Sequence, residues 1–146
     1  MERQVKKIIV STDGGARGNP GIAGAGVYIT DAHGTVLKEI AEPLGVQTNN
    51  FAEYEAIILG LHALKKMFGK EKLKTVEIEV RSDSELIVSQ LNGHYQIKEP
   101  TLFPKFISIW NMRVALFSRI SFVHVRRENN KDADRLANEA MDKASR

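Results

Sequence analysis

Apolar and polar positions recur along this chain with two different periods, and the switches between them mark its elements. The β-branched run Ile8, Ile9 and Val10 reads as a buried strand, and it runs straight into Asp13 and a glycine-rich turn that closes at Gly21. Residues 23–30 and 36–40 read as two more strands, joined by a tight hairpin at Asp31-Ala-His-Gly34. The period then changes. From Thr48-Asn49-Asn50 onward, Ile57, Leu61, Leu64 and Phe68 recur at helical spacing above Gly60, and the helix is expected to stop near Gly69. Residues 75–82 alternate again, with Val76, Ile78 and Val80 on one face and Glu77, Glu79 and Arg81 on the other. A short helix over 84–91 halts at Asn92-Gly93, and Pro100 and Pro104 bracket the start of a helix whose apolar stripe runs over 102–117. Residues 120–125 form the last strand, and Asn130 is expected to cap a final helix carrying Leu136, Ala137, Ala140 and Met141. The order β-β-β-α-β-α-α-β-α predicts a mixed α/β layer structure.

Composition narrows this picture. A chain of 146 residues with no internal repeat is read as one domain spanning 1–146, large enough to bury a core without staples. It has no cysteine, which excludes disulfides and thiolate metal sites and suits a reducing cytoplasm. The formal charge of +3 permits an anionic partner without demanding one. The first seven residues lack the apolar stretch of a secretory signal, and no apolar run approaches the roughly 18 residues of a membrane span. A soluble cytoplasmic protein without membrane contact is expected, and a monomer.

Four acids do not fit the periodic pattern. Glu53 lies one turn before Ile57 and continues the buried stripe of its helix, which points a carboxylate at the sheet. Each acid also has a plain local reading. Asp13 can open a turn; Asn50-Phe-Ala-Glu53 and Ser82-Asp-Ser-Glu85 match capping boxes; Asp83 and Asp134 suit the dipole of a helix start. Taken together they read differently, because Asp13 and Asp83 fall where strands end while Glu53 and Asp134 fall where helices begin. In an open α/β sheet those places can form one edge, where ligand sites gather. Four carboxylates on one edge would repel without cations, and Mg²⁺ is the expected hard, oxygen-seeking partner.

The four motifs, Thr12-Asp13-Gly-Gly-Ala-Arg-Gly-Asn19-Pro-Gly21, Thr48-Asn49-Asn50-Phe-Ala-Glu53-Tyr, Ser82-Asp83-Ser84 and Asn130-Lys-Asp-Ala-Asp134-Arg-Leu-Ala-Asn138, resemble in this order the type 1 ribonuclease H family across nearly the whole chain. The resemblance implies the ribonuclease H-like fold, a five-stranded mixed sheet ordered 3-2-1-4-5 flanked by helices. It also implies an Asp-Glu-Asp-Asp site in which Asp13, Glu53, Asp83 and Asp134 bind two Mg²⁺ or Mn²⁺ ions. The implied reaction is endonucleolytic hydrolysis of the RNA strand of an RNA/DNA hybrid, giving 3′-hydroxyl and 5′-phosphate ends. By the same resemblance Asn19 and Asn49 touch the RNA strand, with the Gly14-Gly15 backbone beside them, and Thr48 holds a DNA phosphate.

The chain departs from many bacterial members in lacking a basic protrusion after the second helix, and so resembles the short archaeal-type members. Lys65, Lys66, Lys70, Lys72 and Lys74 are the candidate substitute, although a lysine run at a helix end is commonly a solvated face. His124 aligns with a mobile loop histidine of relatives, yet its phase with Ile120 and Phe122 places it inside the last strand. Two other functions compete. A related transposase or integrase nuclease would need DNA-binding modules for which there is no motif, and a catalytically silent hybrid-binding module would tend to lose one of the four acids.

Overall fold

The computed structural model describes residues 6–145; residues 1–5, the greater part of the stretch read for a signal, lie outside them. Five strands form one sheet in the order β3-β2-β1-β4-β5: β1 (Lys7–Gly18), β2 (Gly21–Asp31), β3 (Val36–Gln47), β4 (Glu77–Ser82) and β5 (Arg119–His124). β1, β2 and β3 are antiparallel, whereas β4 and β5 run parallel to β1. Helices α1 (Asn49–Leu73), α2 (Glu85–Leu91), α3 (Phe103–Leu116) and α4 (Lys131–Ala144) complete the element order expected from the sequence, with short 3₁₀ turns before α3 and α4. Among the described residues no helix is long and apolar enough to cross a membrane.

The core lies where α1, α2 and α3 meet the sheet. Ile8 and Val10 of β1, Val27 and Ile29 of β2 and Ile78 and Val80 of β4 are fully or almost fully buried beneath Tyr54, Ile57, Leu61 and Leu64 of α1. Of the apolar stripe over 102–117, Leu102, Ile109, Leu116 and Phe117 are almost completely buried. Gly69 breaks α1 with φ 79°, so the regular helix stops where the sequence places its end and one further turn follows to Leu73.

Two strands are longer than their hydrophobic pattern. β1 does not end at Asp13; it continues through Gly14 and Gly15 to Gly18, pairing Gly14 with Ala25 and Gly15 with Gly24. What ends near Asp13 is the parallel ladder, whose last pair is Thr12 with Ser82. The expected strand end is therefore an end of β4 only, and the turn sits at residues 18–21. β3 likewise runs seven residues past Ile40, because an edge strand with a bulge tolerates Pro43 and Gly45, residues that argue against a strand from sequence alone.

Missing side chains set the position of two helices. A Cβ on Gly14 would stand 2.2 Å from the Ala52 carbonyl, so glycine lets the first turn of α1 rest on β1. A Cβ on Gly26 would stand 2.2 Å from the Ala133 carbonyl, which is how α4 sits close enough to β2 to carry Asp134 beside β1. A larger residue at either position would push one acid away from the others.

Candidate metal and nucleic-acid site

At the edge where the parallel ladder ends, the four acids line one cleft of about 440 Å³ with Gly14, Gly15, Ala16, Arg17, Asn49, Arg127, Asn138 and Met141. Asp13 comes from within β1, Glu53 from the second turn of α1, Asp83 from the link between β4 and α2, and Asp134 from the first turn of α4. One carboxylate oxygen from each of Asp13, Glu53 and Asp83 lies within 4.8 Å of the others. Asp134 lines the same cleft, close enough for its carboxylate to act on Asp13.

The two capping-box readings fail on their hydrogen bonds, whereas Asp134 does lie in the first turn of its helix. The cap of α1 is Thr48, whose hydroxyl accepts from the Phe51 amide at 3.2 Å, so Glu53 lies beyond the capping positions. The cap of α2 is Ser84, accepting from Ile87, and Glu85 is the first helical residue rather than the third. Both expected capping boxes are thus displaced, each by a hydroxyl two residues away. Asn130 occupies the cap position of α4, but its side chain caps nothing: it is 2 % exposed and Nδ2 donates 2.9 Å to the Thr12 carbonyl across the cleft floor. Its own carbonyl accepts from the Asp134 amide at 3.1 Å, so one residue ties the backbone entering Asp13 to the turn bearing Asp134.

Electrostatics reflect the crowding. Burial, then the neighbouring Asp83 and Asp134 carboxylates, push Asp13 up to about 8, with Arg127 pulling the other way. Glu53 is raised well above the ordinary carboxylate range by burial and by Asp13 and Asp83, although the Gly14 amide and Ser82 hydroxyl donate to it. Asp83 is raised by burial and Asp134, with Arg127 and His124 opposing. Glu53 Oε2 is buried with no donor. A set of hard oxygen ligands, held partly protonated by burial and mutual repulsion and with one oxygen lacking any partner, is the donor set a divalent cation fits.

The expected substrate contacts separate into two groups. Gly14, Gly15 and Asn49 line the cleft; Asn19 and Thr48 flank it. Asn19 Oδ1 accepts from the Asn49 amide at 3.0 Å, and Asn49 Oδ1 accepts from the Ala16 amide at 2.8 Å, which clamps the turn at 18–21, the start of α1 and β1 together. His124 is the last residue of β5, inside the strand as its phase indicates, but exposed although Phe122 on the same face is buried, and it stands close to Asp83. Lys65 lies 12 residues beyond Glu53 on α1, on the order of 18 Å along its axis, and Lys70, Lys72 and Lys74 lie past the break at Gly69. Arg17, Arg127, Asn130 and Asn138 are not among the site residues expected from the sequence. Asn138 follows Asp134 by four residues on α4, so helical spacing could have placed it on the same face; Arg127 lies in the turn before α4, where periodicity offers no such signal.

A family model described as reverse transcriptase-like matches residues 11–140. The bifunctional protein Rv2228c of Mycobacterium tuberculosis is 41% identical over 140 residues; the match covers 95% of this chain and 36% of that protein, so the chain spans about a third of its length. The structure of RNase H1 from the halophilic archaeon Halobacterium salinarum superimposes with a TM-score of 0.84 at 36% identity, covering 94% of this chain and 98% of the other. LC11-RNase H1, isolated from compost, is 52% identical in its complex with an RNA/DNA hybrid, with a TM-score of 0.91 and coverage of 95% and 99%. With a sheet of matching order, the four motifs in sequence and full-length matches of this quality, the chain belongs to the ribonuclease H family.

Proposed function

We propose that this chain is an endoribonuclease that hydrolyses the RNA strand of RNA/DNA hybrids, leaving 3′-hydroxyl and 5′-phosphate ends, in the cytoplasm. The observation that carries the reading is the convergence of Asp13, Glu53, Asp83 and Asp134, from four different elements, on one cleft. These four would hold two Mg²⁺ ions, with Mn²⁺ accepted, and the ions would supply an activated water and charge neutralisation at the scissile phosphate.

The remaining work falls to the chain. Asn130 and the two close helix approaches keep the acids in register before any ligand arrives, so little reorganisation is needed. Asn19 and Asn49 use their oxygens internally, which leaves each Nδ2 to donate to the RNA strand; 2′-hydroxyls there both donate and accept, and DNA has none. Thr48 accepts from Phe51 but keeps its hydroxyl proton, the donor a DNA phosphate requires. Gly14 and Gly15 keep the cleft floor free of side chains. One chain supplies the whole cleft, so a single protomer is the working unit on its hybrid substrate.

Incubation with labelled hybrid, duplex DNA and duplex RNA in Mg²⁺ and then in chelator tests this. Cleavage confined to the RNA of the hybrid and abolished by chelator is expected. Binding without cutting would make the chain a silent hybrid-binding module, and equal cutting of duplex DNA would remove the 2′-hydroxyl argument.

A further inference from the structure

The outer face of α3 is apolar. Phe103, Ile107, Trp110 and Val114 are 46%, 55%, 53% and 64% exposed, and they recur every three or four residues, so they form one stripe on the side of the helix away from the core. Asn111 and Ser118 are the polar residues beside them, and no charged side chain lies within the stripe. The two cations of the helix stand on its flanks and are engaged: Lys105 pairs with Glu55 and covers the Phe51 ring, and Arg113 lies over Trp110. α4 shows the usual alternative, an outer face on which Arg135 pairs with Glu39, Asp132 and Glu139.

The stripe is self-complementary. In an antiparallel pair of α3 helices with a two-fold axis between Ser108 and Ile109, Ile107 faces the second copy's Trp110, and Phe103 faces its Val114. Each large ring meets a smaller aliphatic group, both contacts occur twice, and no like charges are brought together within the stripe. A groove of about 410 Å³ beside Phe103 and Ile107, lined also by Tyr95, Ile97 and Phe106, lies where an indole from the opposite helix would enter. With Tyr95, itself 52% exposed, the apolar side chains offer on the order of 500 Å² per copy, against roughly 800 Å² in a standard stable interface. That area suits a weak, concentration-dependent dimer rather than an obligate one. A face whose one cation, Arg113, is stacked on Trp110 is also a poor match for nucleic acid, whose backbone binds through several cations.

We infer that the outer face of α3 is a self-association surface, on which two copies of this chain pack their α3 helices antiparallel through Phe103, Ile107, Trp110 and Val114. No residue of the acid cleft belongs to this stripe. The inference goes beyond the proposed activity and stands or falls without it.

Sedimentation equilibrium of the full chain from about 1 μM to about 500 μM tests it, since weak interfaces of this size populate dimers in that range. The parent should shift from monomer toward dimer, and Trp110→Glu should raise the dissociation constant at least about tenfold, as loss of a central aromatic anchor does. Val114→Glu, at the most exposed position of the stripe, serves if the first variant folds poorly. The register is tested by a short bis-maleimide linker, because the parent has no cysteine. A mixture of Phe103→Cys and Val114→Cys should cross-link, whereas Phe103→Cys alone should not, its two copies standing about 16 Å apart along the helix axis. A parent that stays monomeric to about 500 μM, a Trp110→Glu protein that dimerises equally, or cross-linking of Phe103→Cys alone as readily as the mixture would each overturn the inference.

Discussion

The acid cleft and the outer face of α3 invert the ordinary partition of side chains in opposite senses. The cleft draws carboxylates out of water, leaving Asp13 8% exposed and Glu53 Oε2 without a donor; α3 leaves hydrocarbon in water, with Trp110 and Val114 more than half exposed. β4 and α4 keep the rule, as the alternating burial of the one and the paired charges on the other show, and the other exposed apolar residues, Val36, Val46, Met67 and Leu86, are dispersed over three elements. Each inversion costs stability in the isolated chain and is relieved by something that binds: cations for crowded carboxylates, a second apolar face for exposed rings. A residue that disobeys burial for a structural reason has its partner within the chain, as Gln90 does with Tyr54 at 2.8 Å. In these two regions the partners within the chain are incomplete: Glu53 Oε2 has none, and Trp110 has Arg113 over its ring yet stays more than half exposed.

The comparison is broken most sharply at Asp13. Asp13→Asn should reduce hydrolysis of hybrid by about a hundredfold or more, as loss of a group acting on transition-state charge does, yet leave metal-free stability unchanged or higher because it removes repulsion. Mg²⁺ should raise the melting temperature of the parent and do so less in the variant. An active but destabilised variant, indifferent to Mg²⁺, would make Asp13 a structural acid of β1 rather than part of a metal site.

A smaller effect is expected at Asn130. Asn130→Ala strands the Thr12 carbonyl, at a cost of about 1–3 kcal/mol, and loosens the peptide that leads into Asp13. Turnover should fall about tenfold with KM for hybrid nearly unchanged, because the contacts to substrate lie elsewhere. A loss confined to melting temperature, with kcat intact, would make the residue a packing element only.

The smallest effect is on stability against pH. In the fold the Asp13 carboxyl holds its proton up to about 8, against 3.8 ordinarily, so the folded state binds the proton more tightly than the unfolded one. Stability of the metal-free protein is therefore greatest below the unfolded value and is lost as pH rises toward 8; Glu53 and Asp83, also raised, add in the same direction. Melting in chelator should drop by several degrees between pH 5 and pH 8, less in Asp13→Asn, and Mg²⁺ should restore most of the loss at pH 8. A melting temperature that rises over this interval would mean the carboxylates are not crowded.

The sequence by itself determined the element order, the break at Gly69, the half-exposed face of β4 and the identity of the four acids, because these rest on local periodicity and on motifs written in consecutive residues. It placed His124 correctly in a strand by phase alone. Tertiary structure decided what depends on a neighbour far along the chain. β1 runs past Asp13 because Gly14 and Gly15 find partners in β2, and β3 tolerates Pro43 because it lies at an edge. The expected cap at Asn130 became a tether to a carbonyl 118 residues away, and two expected capping boxes yielded to hydroxyls two residues off that the local pattern could not rank. The apolar stripe over 102–117 was legible, but which half of it faced water was not, since a helix that is apolar around most of its circumference carries no phase, and only packing against α1 and the sheet selects the side that is buried.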